Sequence, residues 1–130
     1  MKERNKILYE MQAEICYALS HPLRLEILDI LSQGEKNSTD LLAILDIPKA
    51  NLSQHLTVLK EAGILKTRKE GLFQFVSLGI PKIKEACTLV RSILADQIEE
   101  EEKRMGELKK NLNQQVKAIN TKTTKKALKR

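Results

Sequence analysis

The stretch Lys49-Ala50-Asn51-Leu52-Ser53-Gln54-His55-Leu56-Thr57-Val58-Leu59-Lys60 mixes leucines with short hydroxyl and amide side chains. At helical spacing Leu52, Leu56 and Leu59 share one face. Ala50, Ser53, Gln54 and Thr57 then lie opposite, with Asn51 and His55 on the flank. Those polar groups suit the edges of base pairs. An Asn or Gln amide can pair with adenine, and a Ser or Thr hydroxyl serves as donor or acceptor. Lys49 and Lys60 sit near the two ends, where phosphates would lie. A second basic group, Lys66, Arg68 and Lys69, surrounds a Gly turn a few residues on. A hairpin tip carrying such cations suits phosphate or minor-groove contact, or simply a solvated turn.

Two other groups of residues have chemical potential. Cys16 and Cys87 are too few for a disulfide scaffold and read either as small buried hydrophobes or as reactive thiols. His21, beside Pro22, suits a helix start. His55 has two open readings, a phosphate contact or a hydrogen bond to a neighbouring helix. The chain shows no acid–base pair in a pocket-forming context, no nucleophile elbow and no phosphate loop, so an enzyme is not expected.

The elements that must position these residues follow from periodicity. A first helix runs from about 5 to 19, and Ser20-His21-Pro22 interrupts it, with Pro22 in the first turn of a second helix ending near Gly34. A short third helix covers 39–45, and Asp46-Ile47-Pro48 leads into a fourth over 49–62, closed by Gly63. Two strands around Glu70-Gly71 form a hairpin. From Pro81 a last helix carries Ile83, Cys87, Val90, Leu94 and Ile98, pauses at Glu99–Glu102, and resumes with Met105, Leu108, Leu112, Val116 and Ile119. The expected organisation is a folded domain over 1–98, a helical extension over 99–120, and a basic disordered tail over 121–130. The fold class is mainly α with a small β-hairpin.

The 130 residues carry a net charge of +6, but the excess is local. From Lys117 onward there are six basic residues and no acid, while the preceding 116 residues balance 17 against 17. A nucleic-acid partner is therefore argued from where charge is placed, not from its total. No apolar run reaches the roughly 18–20 residues that span a bilayer. The charged Met1–Glu10 stretch is not expected to act as a signal peptide, so a cytoplasmic location without membrane contact is expected.

Helix, three-residue turn, helix and basic hairpin, in that order, make a helix-turn-helix with a wing. Three blocks carry a resemblance: Ala18-Leu19-Ser20-His21-Pro22-Leu23-Arg24-Leu25-Glu26-Ile27-Leu28, then Leu52 through Leu65, then Arg68-Lys69-Glu70-Gly71 with Phe75-Val76-Ser77-Leu78. Over about Gln12–Arg91 the chain resembles the ArsR/SmtB repressors. The resemblance implies a homodimer joined through the first and last helices. It also implies a double-stranded operator as partner and repression relieved by an inducer. Carried over by position, Ser53, Gln54 and His55 contact DNA. With Lys49, Asn51, Thr57, Lys60, Lys66, Arg68 and Lys69 they form the expected DNA-binding set.

The family's metal ligands have no counterpart here: the third helix lacks Cys and His, and the last helix has Asp96 but no His. No metal or other cofactor is expected, unless a soft metalloid bridges Cys16 and Cys87. The resemblance places both thiols on interface helices, which implies a sensor for persulfide, oxidant or arsenic species. In members that sense persulfide or oxidants the first cysteine lies within the second helix, where this chain has Asp29. A competing reading is a winged-helix protein-interaction module whose last helix forms a coiled coil.

Overall fold

The computed structural model describes residues 5–128, with side-chain surroundings given through Thr123. Two compact units are present, Met1–Thr88 and Leu89–Arg130.

In the first unit, α1 (Lys6–Ala18) starts on Asn5, whose side chain accepts from the Leu8 amide at 3.2 Å. Helix α2 (Pro22–Leu31) starts on His21, whose Nδ1 accepts from the Leu23 amide at 3.1 Å, with Pro22 in the first turn. Proline fits there because an amide at that position would have no helical acceptor anyway. The helix ends three residues before Gly34, whose φ of 138° carries the chain away. A two-residue strand, β1 (Lys36–Asn37), follows, and Asn37 also caps α3 (Ser38–Leu45) by accepting from Thr39. Asp46 closes α3 in the left-handed region, φ 50°. After Ile47 and Pro48 comes α4 (Lys49–Glu61). Gly63, φ 77°, turns the chain so that the Ile64 amide returns to the Leu59 carbonyl at 3.0 Å. That closure satisfies a carbonyl the helix would otherwise leave open.

Strands β2 (Leu65–Glu70) and β3 (Phe73–Leu78) pair antiparallel from Leu65 opposite Leu78 to Glu70 opposite Phe73. Gly71 has φ 62° at the first of the two loop residues, as a type II′ hairpin requires. The sheet has a third strand beyond the expected hairpin. β1 pairs with β3, Lys36 opposite Val76 and Asn37 opposite Phe75, giving the order β1-β3-β2. Two polar residues carry no alternating pattern, so periodicity has nothing to detect.

The core joins Ile27, Leu28 and Leu31 of α2, Leu41 of α3, Leu52, Leu56 and Leu59 of α4, and Ile64, Leu65 and Val76 around the sheet. Each such aliphatic side chain contributes roughly 1.5–3 kcal/mol on burial. Ala18 and Ile83 complete the cluster, with Cys87 packed at its edge.

Helix α5 (Lys82–Leu128) is continuous through Glu99–Glu102, where the apolar stripe pauses, and through 121–128, the segment expected to be a disordered tail. Once a helix is nucleated, each added residue costs little, and Lys, Ala and Leu are good helix formers. The last two residues of that expected tail lie outside the described residues. The second unit, Leu89–Arg130, contains no element but this helix among its described residues. No helix among the described residues is long and apolar enough to cross a membrane.

Candidate nucleic-acid interface

Helix α4 presents two faces of opposite character. Leu52, Leu56 and Leu59 are buried, whereas Lys49, Ala50, Asn51, Ser53, Gln54, Thr57 and Lys60 are exposed. The Thr57 hydroxyl donates to the Ser53 carbonyl at 2.8 Å, which fixes its rotamer and leaves an oxygen lone pair outward. A helix held by one leucine face and free along an amide- and hydroxyl-bearing face is what major-groove readout needs.

His55 differs from the rest of the set. It is only partly exposed and turns toward α2. Its ring centroid lies 4.4 Å from that of His21, and its Nδ1 lies 3.3 Å from Arg24 Nη1. Of its two open readings, the structure has the hydrogen bond to a neighbouring helix. Burial, then the nearby His21 and Arg24 charges, hold the His55 pKa below the ordinary histidine value. A neutral His55 accepting from Arg24 at Nδ1 carries its proton on Nε2.

Arg24 is the centre of this cluster, and sequence reasoning gives it no role. It is the buried charged residue of the core, 6% exposed. Its Nε donates to the Ala18 carbonyl at 2.7 Å and its Nη2 to the Tyr17 carbonyl at 3.1 Å, and its guanidinium lies 5.4 Å from the Tyr17 ring centre. The carbonyls belong to the last turn of α1, which has no basic residue of its own. Unpaired helix-end carbonyls attract a cation. One side chain thereby ties the end of α1, the start of α2 and the middle of α4. The available signal is an Arg on the apolar side of α2, three residues before the buried Ile27.

On the wing, Lys66 and Lys69 are exposed to solvent, but Arg68 is engaged. Its Nη2 lies 2.7 Å from Glu35, its Nη1 2.8 Å from Glu70, and its guanidinium stacks 4.4 Å from the Phe75 ring centre. Hydrogen bonding to Arg68 lowers the Glu35 pKa, and the two carboxylates raise that of Arg68. Glu35 immediately precedes β1, so the contact fastens the third strand to the hairpin.

The cysteines take different environments: Cys16 is exposed on α1 and Cys87 is half-buried against the core. No group of three or more potential metal-ligating side chains exists among the described residues.

Arrangement and connectivity define a winged helix-turn-helix: α3, a three-residue turn, α4, and a β2–β3 wing extended by β1. The profile of the bacterial regulatory proteins of the arsR family matches residues 21–67. The transcriptional regulator Rv0081 of Mycobacterium tuberculosis is 35% identical over 89 residues, 68% of this chain and 78% of that one. Its crystal structure superposes with a TM-score of 0.67 at 33% identity, covering 72% and 94% of the two chains. The transcriptional repressor PagR of Bacillus anthracis is 32% identical over 65% of this chain and 85% of its own. A homodimeric winged helix-turn-helix DNA-binding domain from Mycobacterium bovis, at 26% identity, matches with a TM-score of 0.69 over 77% and 93%. The chain belongs to the ArsR family of bacterial transcriptional regulators, DNA-binding proteins and not enzymes.

Proposed function

We propose that the chain is a homodimeric repressor that reads an operator through Asn51, Ser53, Gln54 and Thr57 on α4. Lys49, Lys60, Lys66 and Lys69 hold the flanking phosphates. The observation that carries this reading is the split of α4 into a buried leucine face and an exposed amide–hydroxyl face. The repressor names of relatives and the homodimer of the Mycobacterium bovis domain support it. In this reading His55 seats α4, the second of its two open readings, and Arg68 fastens the wing rather than holding a phosphate. The exposed apolar residues Ile7, Leu8, Met11 and Ile15 give α1 a face for a second copy.

In this reading an inducer releases the operator, and the sensor is thiol chemistry at Cys16 and Cys87, with persulfide, an oxidant or an arsenic species as the reactant. The exposed Cys16 offers the point of attack. The test is operator selection from a fragment library followed by gel shift with and without hydrogen peroxide, polysulfide or arsenite. Gln54→Ala should lose sequence discrimination by about 1–3 kcal/mol at one base pair. Unchanged discrimination would remove α4 as the reader. An unchanged inducer response in Cys16→Ser/Cys87→Ser would remove the thiols alone.

A further inference from the structure

The wing ends in an aliphatic side chain. Gly71 and Leu72 are the two loop residues between Glu70 and Phe73, and the φ of 62° at Gly71 makes the turn type II′. Hairpin turns favour small or polar residues beside the glycine, because water surrounds that position in any case. Here Leu72 is fully exposed and packs on none of the described residues, and Phe73 beside it is half-exposed. The turn needs its glycine and not its leucine, so the protomer's own fold gives Leu72 no role.

Reach and charge narrow what this apex can meet. Val76 is the buried residue of the hairpin nearest its tip. At the rise of a strand, Leu72 stands roughly 13 Å beyond it. The minor groove of B-DNA is about 7.5 Å deep and about 6 Å wide. Paired strands lie about 4.8 Å apart before their side chains are counted, so the ribbon stays at the mouth of such a groove and the loop side chain alone enters. Lys66 and Lys69, exposed on the adjoining strand, offer cations to the phosphates. Glu70, the acid nearest the tip, is matched by Arg68 at 2.8 Å, which offsets its repulsion of DNA. The same ion pair, the one to Glu35 and the stacking on Phe75 hold the wing's one arginine on the strand, leaving Leu72 at the front. Leucine is among the apolar side chains that pack into minor grooves.

Building on the operator reading proposed above, we infer that Leu72 packs into the minor groove beside the bases read by α4 and selects A·T pairs there. The selection works by exclusion. An A·T pair shows the minor groove only the acceptors adenine N3 and thymine O2, whereas a G·C pair adds the guanine N2 amino group. That amine occupies space the isobutyl group needs. An apolar group that covers it also strands a donor that water would otherwise satisfy. Leu72 therefore adds specificity at base pairs outside the reach of α4, where the wing lysines add affinity alone.

The test measures binding of the full chain, at several salt concentrations, to duplexes with A·T, G·C or inosine·C at the pairs flanking those that Gln54 discriminates. Inosine·C keeps the major-groove edge of G·C and lacks only the minor-groove amine, so it changes nothing that α4 reads. The A·T and inosine·C duplexes should bind alike and roughly fivefold or more tighter than G·C. Leu72→Ser, which suits the turn, should weaken binding to the A·T duplex about tenfold. It should also erase the difference between G·C and inosine·C, and it should keep the parent's salt slope because no phosphate contact is lost. Leu72→Met should retain both affinity and preference. A parent indifferent to inosine overturns the inference. So does a Leu72→Ser protein that keeps the preference or the full affinity, or one whose salt slope falls. Discrimination lost in Gln54→Ala with no amine effect in the parent strikes Leu72 alone, whereas a parent that selects no operator strikes the reading beneath it.

Discussion

Replacing Arg24 with Met tests the connection between α1, α2 and the reading helix. Two opposing effects are at work. Burying a guanidinium carries a desolvation cost, and an apolar residue of similar volume often relieves it without loss. That relief requires the partners to be relieved too, and here they are backbone carbonyls that stay in place. The Tyr17 carbonyl keeps other donors, the Ser20 amide at 3.0 Å and the Ser20 hydroxyl at 2.7 Å. The Ala18 carbonyl forfeits its 2.7 Å bond on a residue only 1% exposed. A hydrogen bond to a charged group is worth about 1.5–3 kcal/mol, and an orphaned buried acceptor costs about 1–3 kcal/mol. With the longer bond to His55 removed as well, Arg24→Met should destabilise by about 3 kcal/mol. Arg24→Lys, with a single ammonium in place of the fork, should recover about half of that. Urea unfolding at fixed protomer concentration should show the midpoint falling by roughly 1–3 M with unchanged slope. A shift under about 0.5 M, or Met and Lys variants of equal stability, would overturn this account of Arg24.

Three further outcomes follow from the same structure. The lowered His55 pKa means the unfolded chain binds protons more readily than the native one. Stability should therefore be complete above the unfolded value near 6.5 and decline as pH falls below it, and His55→Gln should flatten that part of a Tm-against-pH curve. On the wing, Lys66→Gln or Lys69→Gln should each reduce the salt slope of operator binding by about 0.9, whereas Arg68→Gln, already matched by Glu35 and Glu70, should leave it unchanged. Gly71→Ala meets no atom within 4 Å, so its cost is the positive-φ backbone alone, roughly 1–2 kcal/mol by thermal unfolding.

Most of the helix-turn-helix is legible in the sequence because its determinants are local. Leucines at three- and four-residue spacing, Pro22 at a helix start and Gly63 after a helix end each speak within one turn. The wing strands are legible from their branched and aromatic residues around Gly71. What escapes is set by distant partners. β1 exists because β3 offers it an edge far along the chain, Val76 for Lys36 and Phe75 for Asn37. Arg68 looks like a free cation because Glu35, 33 residues earlier, is adjacent only in the fold. His55 looks available because Arg24 and His21 approach it from another helix. The exposed polar face of α4 is readable by elimination, since its leucines account for the other side. Helix α5 is drawn out through 121–128, since solvation and helicity are compatible in a lysine-rich segment.

The polar cluster bears on how an inducer acting at Cys16, as proposed above, would reach the DNA. Cys16 precedes Tyr17, and the Tyr17 and Ala18 carbonyls are the two that Arg24 grips. Arg24 in turn touches His55, which lies next to Gln54 on the reading helix. A thiol adduct that shifts the last turn of α1 has to move or break those bonds, because Arg24 is held at 2.7 Å and is buried. Arg24→Lys keeps the charge but not the fork, so it separates transmission from sensing. In that variant Cys16 should still react at the parent rate by thiol titration, while the inducer's effect on operator affinity should shrink. An undiminished effect would mean that any signal from α1 reaches α4 by a route other than Arg24.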